Sequence, residues 1–191
     1  RRIRMAQIRA IVFLLAFVFA GSPALAQQPP PGSYSSNELV DAGHRFFGTV
    51  SRDLALVIEK AFSQWGQPNG YSLGQEASGA ITVGLRYGEG TLYTRNAGDM
   101  KVYWQGPSLG FDLGGDGART MILVYSMPRV DSIFQRFVGI SGSAYFIGGF
   151  GATALSWDRM VLVPIRSGVG LRLGANIGYL KFTPQATWNP L

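Results

Sequence analysis

The pentapeptide GLRYG occupies residues 84–88, GFDLG residues 110–114 and GLRLG residues 170–174. Each reads glycine, apolar, charged, apolar or aromatic, glycine. Successive side chains of a strand face opposite ways. One face of each segment therefore carries two large apolar groups, and the other carries a single charge, Arg86, Asp112 or Arg172, flanked by bare backbone. Glycine inside a strand costs stability, so its repetition answers a steric demand. A small closed barrel is one such demand, because glycine supplies the kinks that turn its corners. A helix or ligand pressed against the backbone is another. The apolar pairs, Leu85 with Tyr87, Phe111 with Leu113 and Leu171 with Leu173, are expected to fill the barrel. The charges are then expected on the opposite face, with Asp112 near Arg86 or Arg172 as a polar cluster, or as three separate solvated charges.

Outward from these segments, the whole chain after Tyr71 alternates aromatic and β-branched residues with polar ones, punctuated by glycine. The pattern predicts strands near 71–75, 79–87, 90–96, 100–105, 108–114, 119–126, 143–155, 159–166 and 168–182. NAGD at 96–99 and GGDG at 114–117 read as turns. A short helix is expected over 130–138, with Ile133, Phe134 and Phe137 as its apolar side. In the last strand, Val169, Leu171, Leu173, Ala175 and Ile177 share a face. After Gly178 the apolar phase passes to Leu180 and Phe182, which signals a bulge.

Ahead of the strands, Leu39, Val40, Phe46, Phe47, Val50, Leu54, Val57, Ile58, Ala61, Phe62 and Trp65 recur at gaps suited to an amphipathic helix. Ser35 or Ser36 can cap it, Gly43 and Gly48 can kink or divide it, and Gly66 and Pro68 end it. One helix followed by many short strands predicts a mainly β fold, an antiparallel barrel or sandwich. Whether the helix covers or plugs the sheet is open at this level.

Residues 1–26 read as a signal peptide. Arg1, Arg2, Arg4 and Arg9 precede an apolar run of 11 residues over 10–20, and Ala24-Leu25-Ala26 supplies the cleavage site. Residues 27–36, QQPPPGSYSS, read as a disordered leader, and 37–191 as a single helix-plus-sheet domain. The chain carries 17 Lys+Arg and 11 Asp+Glu; without the four signal arginines 13 basic residues remain, a net charge of +2. The basic character belongs mostly to the signal, which removes the argument for nucleic acid. The chain has no cysteine, which excludes thiol catalysis and thiolate metal sites. The amphipathic helix, the bare glycine faces and the late Pro184 and Pro190 argue against a membrane-spanning barrel. The expected location is the periplasm, reached by the general secretory route.

Enzyme signals are sparse. His44 is the single histidine, and no nucleophile is placed beside it. Residues 149–154, GFGATA, match a dinucleotide fingerprint in letters, but strand alternation continues through them where a helix is required. No catalytic residue, cofactor or metal is therefore expected, and an envelope hydrolase is the minor alternative. The aromatic residues Tyr87, Tyr93, Tyr103, Trp104 and Trp157 interleave with Arg86, Arg95 and Lys101. Such a surface can hold peptides, glycans or lipid head groups; alternatively half of these aromatics fill the core. The candidate ligand-binding set is Arg86, Tyr87, Lys101, Tyr103, Trp104, Asp112 and Arg172.

The stretches beginning NELVDAGHRFFGTV at 37, LRYGEGTLYTRNAGD at 85, KVYWQGPSLGFDLGGDG at 101 and VPIRSGVGLRLGANIGYLKF at 163 closely resemble the envelope integrity protein A family of alphaproteobacteria. The resemblance covers essentially the whole chain after the signal. It implies a soluble periplasmic protein with a small eight-stranded antiparallel β-barrel, a role in cell-envelope integrity and stress resistance, and no assigned catalytic residues. The partner it implies is an envelope component, whether phospholipid, glycan or protein. YGEGTL, GPSLGFDLGG and SGVGLRLGA are also similar in order to the SYLF lipid-binding domain. That likeness implies phospholipid binding and peripheral membrane contact, through Arg86, Lys101, Tyr103, Trp104 and Arg172.

Overall fold

In the computed structural model the described residues are 31–79, 83–109, 118–167 and 178–187. The predicted helix is two helices, α1 (Ser36–Phe47) and α2 (Arg52–Trp65). Ser35 forms a capping box at the start of α1: its hydroxyl accepts from the Glu38 N–H at 3.3 Å, and the Glu38 carboxylate accepts from the Ser35 N–H at 2.8 Å. Gly48 ends α1 with φ 73°, and Ser51 caps α2 by accepting from the Leu54 N–H at 3.3 Å. A left-handed stop followed at once by a new cap divides the periodic run. His44 Nε2 donates to the Ser51 carbonyl at 3.0 Å and ties the corner.

Among the described residues ten strands follow: β1 (Gly70–Gly79), β2 (Val83–Thr94), β3 (Gly98–Leu109), β4 (Ala118–Tyr125), β5 (Arg136–Gly139), β6 (Tyr145–Ile147), β7 (Phe150–Ala152), β8 (Leu155–Trp157), β9 (Met160–Ser167) and β10 (Tyr179–Thr183). Their order is β4-β1-β2-β3-β10-β5-β8-β9-β7-β6, and β4 also pairs with β9. That last pairing closes an eight-stranded antiparallel barrel, with β7 and β6 continuing past β9 as a flap. The flap packs on α2, where Tyr145 donates to the Val57 carbonyl at 2.9 Å.

Several expected boundaries change. Residues 83–94 form one strand through Gly88, and 98–109 one strand through Gly106. The segment expected as one strand over 143–155 is divided among β6, β7 and the start of β8. The expected helix over 130–138 is a single 3-10 turn, Val130–Ile133, followed by β5. Ring closure decides this, because Arg136–Gly139 must stay extended to bridge β10 and β8. The turn at 114–117, the segments at 110–114 and 170–174, and the start of the last predicted strand lie outside the described residues.

Two apolar cores result. One fills the barrel with Leu92, Val102, Trp104, Ile122, Val124 and Phe182 among others. Eight strands leave an interior just wide enough to be filled by side chains. The second lies between the helices and the outer wall, joining Leu39, Leu54 and Ile58 to Met121, Leu123 and Ile165. Strand β4 is thus buried on both faces from Thr120 onward. The helices cover the barrel and do not plug it.

The expectation about the glycine-thinned face is reversed for GLRYG. Leu85 is 39% exposed on the outside, whereas Arg86 is only 6% exposed on the inside. The reason is the indole of Trp104, directly across from Gly88 in the β2–β3 ladder. A Cβ at Gly88 would lie 2.1 Å from Trp104 Cε2, and one at Gly74 2.6 Å from Cη2. The missing side chains make room for a tryptophan inside a narrow ring.

Candidate functional site

The alternation that turns Trp104 inward also turns one carboxylate and two guanidiniums inward. Glu76 on β1 accepts from Arg166 Nε at 2.6 Å and Arg166 Nη2 at 2.9 Å, and from Trp104 Nε1 at 2.8 Å. Arg86 Nε stands 3.7 Å from the same carboxylate. All four residues are buried. Burial alone would raise the Glu76 pKa, but Arg166 foremost, then Arg86, overcome it and hold the carboxyl at about 2. Forked, satisfied pairing of this kind is what allows charge in a core. Neither Glu76 nor Arg166 stood out in the sequence. Ser72, Gly74 and Glu76 form a polar and glycine face that looks solvent-directed until the ring is closed.

The other face of the same three strands builds a groove. Ladder pairing aligns Gln75, Glu89, Tyr103 and Thr183 in one outward row across β1, β2, β3 and β10. The adjacent row is Ala77, Tyr87, Gln105 and Lys181. Lys181 stands at the end of its row outside the lining; the other residues of the two rows, with Ala186 and Thr187 of the C-terminal segment, enclose about 370 Å³, within the lower range of small-molecule sites. The floor is the sheet itself, where Trp104 stands with its indole turned to the interior. At the rim, Lys101 lies 3.3 Å from Glu89 and 5.3 Å from the centre of the Tyr103 ring. The hydrogen bond to Glu89, then that to Tyr103, raises the Lys101 pKa.

The sequence-selected residues therefore divide between two sides of one sheet. Tyr87 and Tyr103 line the groove and Lys101 flanks it, while Arg86 and Trp104 lie in the barrel interior. Neighbours in a strand cannot share a face, so Arg86 parts from Tyr87 and Trp104 from Tyr103. Asp112 and Arg172 lie outside the described residues, as does their expected cluster with Arg86. Gln75 and Glu89 are groove residues that the sequence did not single out; their cross-strand pairing with Tyr103 becomes visible only with the ladder register. Around Gly149, β7 and β8 follow where a dinucleotide site needs a helix.

With this geometry in hand, a family model described as "Envelope integrity protein A" matches residues 32–191. The chain belongs to the envelope integrity protein A family. A crystal structure of a β-barrel-like, uncharacterised protein from Brucella abortus is similar to it, with 55% sequence identity and a TM-score of 0.78, over 84% of this chain and 99% of that one. No curated protein matches the chain. The barrel fold is thus shared with a solved structure, and the family name points to the cell envelope.

Proposed function

We propose that this member of the envelope integrity protein A family is a non-enzymatic periplasmic barrel that supports the envelope by binding one of its components in the β1–β3 outer groove. The observation that carries this is the groove itself, built on the outside of a barrel whose inside is filled. Among the described residues the inward side chains are mostly apolar, joined by the Glu76 ion cluster, and they fill the barrel. The outside carries Gln75, Glu89 and Lys101, and the helices cover β4 and β9. That is the inverse of a membrane barrel, which presents an apolar band outward, and it favours a water-filled compartment. Export by residues 1–26 fits the same reading.

The phospholipid alternative asks for a basic, aromatic face. Of its residues, Arg86 and Trp104 are turned inward, and Lys101 is matched by Glu89, so the placement favours a ligand that does not depend on positive charge.

The test is complementation of a strain lacking the gene. Wild-type protein recovered in the periplasmic fraction is expected to restore survival on detergent, and a Tyr87→Ala/Tyr103→Ala variant of unchanged thermal stability is expected not to. Full restoration by the groove variant would remove the groove from the function.

A further inference from the structure

We infer that the groove takes an uncharged saccharide segment of an envelope glycan. The inference rests on the reading that the groove is the binding site and goes on to name the ligand class. Its first support is the aromatic pair. Tyr103 and Tyr87 sit on adjacent strands and adjacent outward rows, a diagonal separation of roughly 7 Å. Both rings are half-buried in the wall of the groove. A pyranose ring has an apolar C–H face and a rim of hydroxyls. Tyrosine matches the face with a flat, rigid surface at low entropic cost.

The second support is the kind of polar group around the rings. Exposed Gln75 brings donors and an acceptor, and exposed Glu89 brings acceptors only. A ligand meeting both must donate and accept around its edge. Sugar hydroxyls do so, whereas an acyl chain does neither and would leave these groups without water. The third support is charge. Among the described residues lining the groove there is no lysine or arginine, and Glu89 faces it. Lys101 at the rim is engaged by that carboxylate at 3.3 Å. Lys181 stands in the adjacent row but outside the lining, so an anionic head group in the groove would meet Glu89 first, and a neutral ligand fits best. The enclosed space of about 370 Å³ suits a short segment of a longer chain entering from an open groove.

The test uses the exported chain and short neutral oligosaccharides of glucose, mannose and N-acetylglucosamine, with phosphatidylglycerol vesicles in parallel. Binding is followed by calorimetry and by amide and ring resonances of β1–β3. At least one neutral series is expected to bind and to shift Tyr87, Glu89 and Tyr103. Tyr103→Ala should then weaken it by roughly tenfold, the scale of one lost aromatic stack, while Tyr103→Phe keeps most of the affinity. Gln75→Ala, an exposed position, serves as a second variant if Tyr103→Ala disturbs folding, and should also weaken binding. No shift with any neutral series, binding indifferent to both substitutions, or shifts at Tyr87 and Tyr103 produced by the vesicles alone would each overturn the glycan assignment. Should the assignment fall while the groove variant still fails to protect cells, the envelope-binding role stands with another ligand. Should the variant protect cells as well, both fall.

Discussion

At the scale of single residues, Gly88 and Trp104 decide which side of the sheet is inside. A methyl group at Gly88 would overlap the indole at 2.1 Å, and the strands around it leave the ring nowhere to go without giving up its bond to Glu76. Gly88→Ala should therefore cost about 1–3 kcal/mol by overpacking, read from urea unfolding, and should shift the Trp104 indole N–H resonance. Unchanged stability with an unmoved resonance would place Trp104 elsewhere. Sequence alternation correctly separates Leu85 and Tyr87 from Arg86, but it says which residues share a face and not which face is inward. A charge between glycines resembles a solvated surface. Its partner Glu76 sits on the neighbouring strand, but Arg166, which holds the same carboxylate, lies 90 residues from Glu76 in sequence, and no local pattern reports such a distance.

At the scale of elements, caps and turns were more legible than strand lengths. The amphipathic spacing before Trp65, the stop at Gly66 and the serine before Glu38 all predict helix where helix is found. Ser35 and Ser36 were equal candidates as caps; the capping box selects Ser35. Ser35→Ala should thus lower stability by about 1 kcal/mol, while Ser36→Ala, inside the first turn, should change it little. Equal effects of the two in thermal unfolding would contradict the cap. The expected strands are shorter than the observed ones because Gly88 and Gly106 look like punctuation in the sequence. In β2 and β3 the ladder runs straight through both, since a strand facing a packed indole or a neighbouring backbone needs absent side chains and not a turn. The segment before β5 failed for the opposite reason: Ile133, Phe134 and Phe137 fit a helix locally, and only ring closure makes the second half extended.

At the scale of the molecule, one closed sheet separates two environments: a filled interior that holds the Glu76 ion cluster, and an outer wall partly covered by helices and partly open as the groove. The β-barrel class was legible because glycine-rich alternation continued for more than a hundred residues after Tyr71. The groove was only half legible, through Tyr87 and Tyr103, because its other walls come from β1 and the C-terminal segment, which only the ring brings beside β2 and β3. The ion cluster links the whole fold to pH. The Glu76 carboxyl is held at about 2 in the folded chain, against an ordinary 4.5. A lowered folded-state value means that the unfolded chain binds the extra proton first. The pair's contribution is complete above about pH 4.5 and drains away as pH falls toward 2, on the order of 3 kcal/mol.

The most direct measurement of this inside-out assignment is a titration of the Glu76 carboxyl carbon by NMR. The barrel with its bare face turned inward predicts that Glu76 stays ionised to about pH 2, held by Arg166 and Arg86. A midpoint near 4.5, the value of a carboxylate open to water, would contradict it.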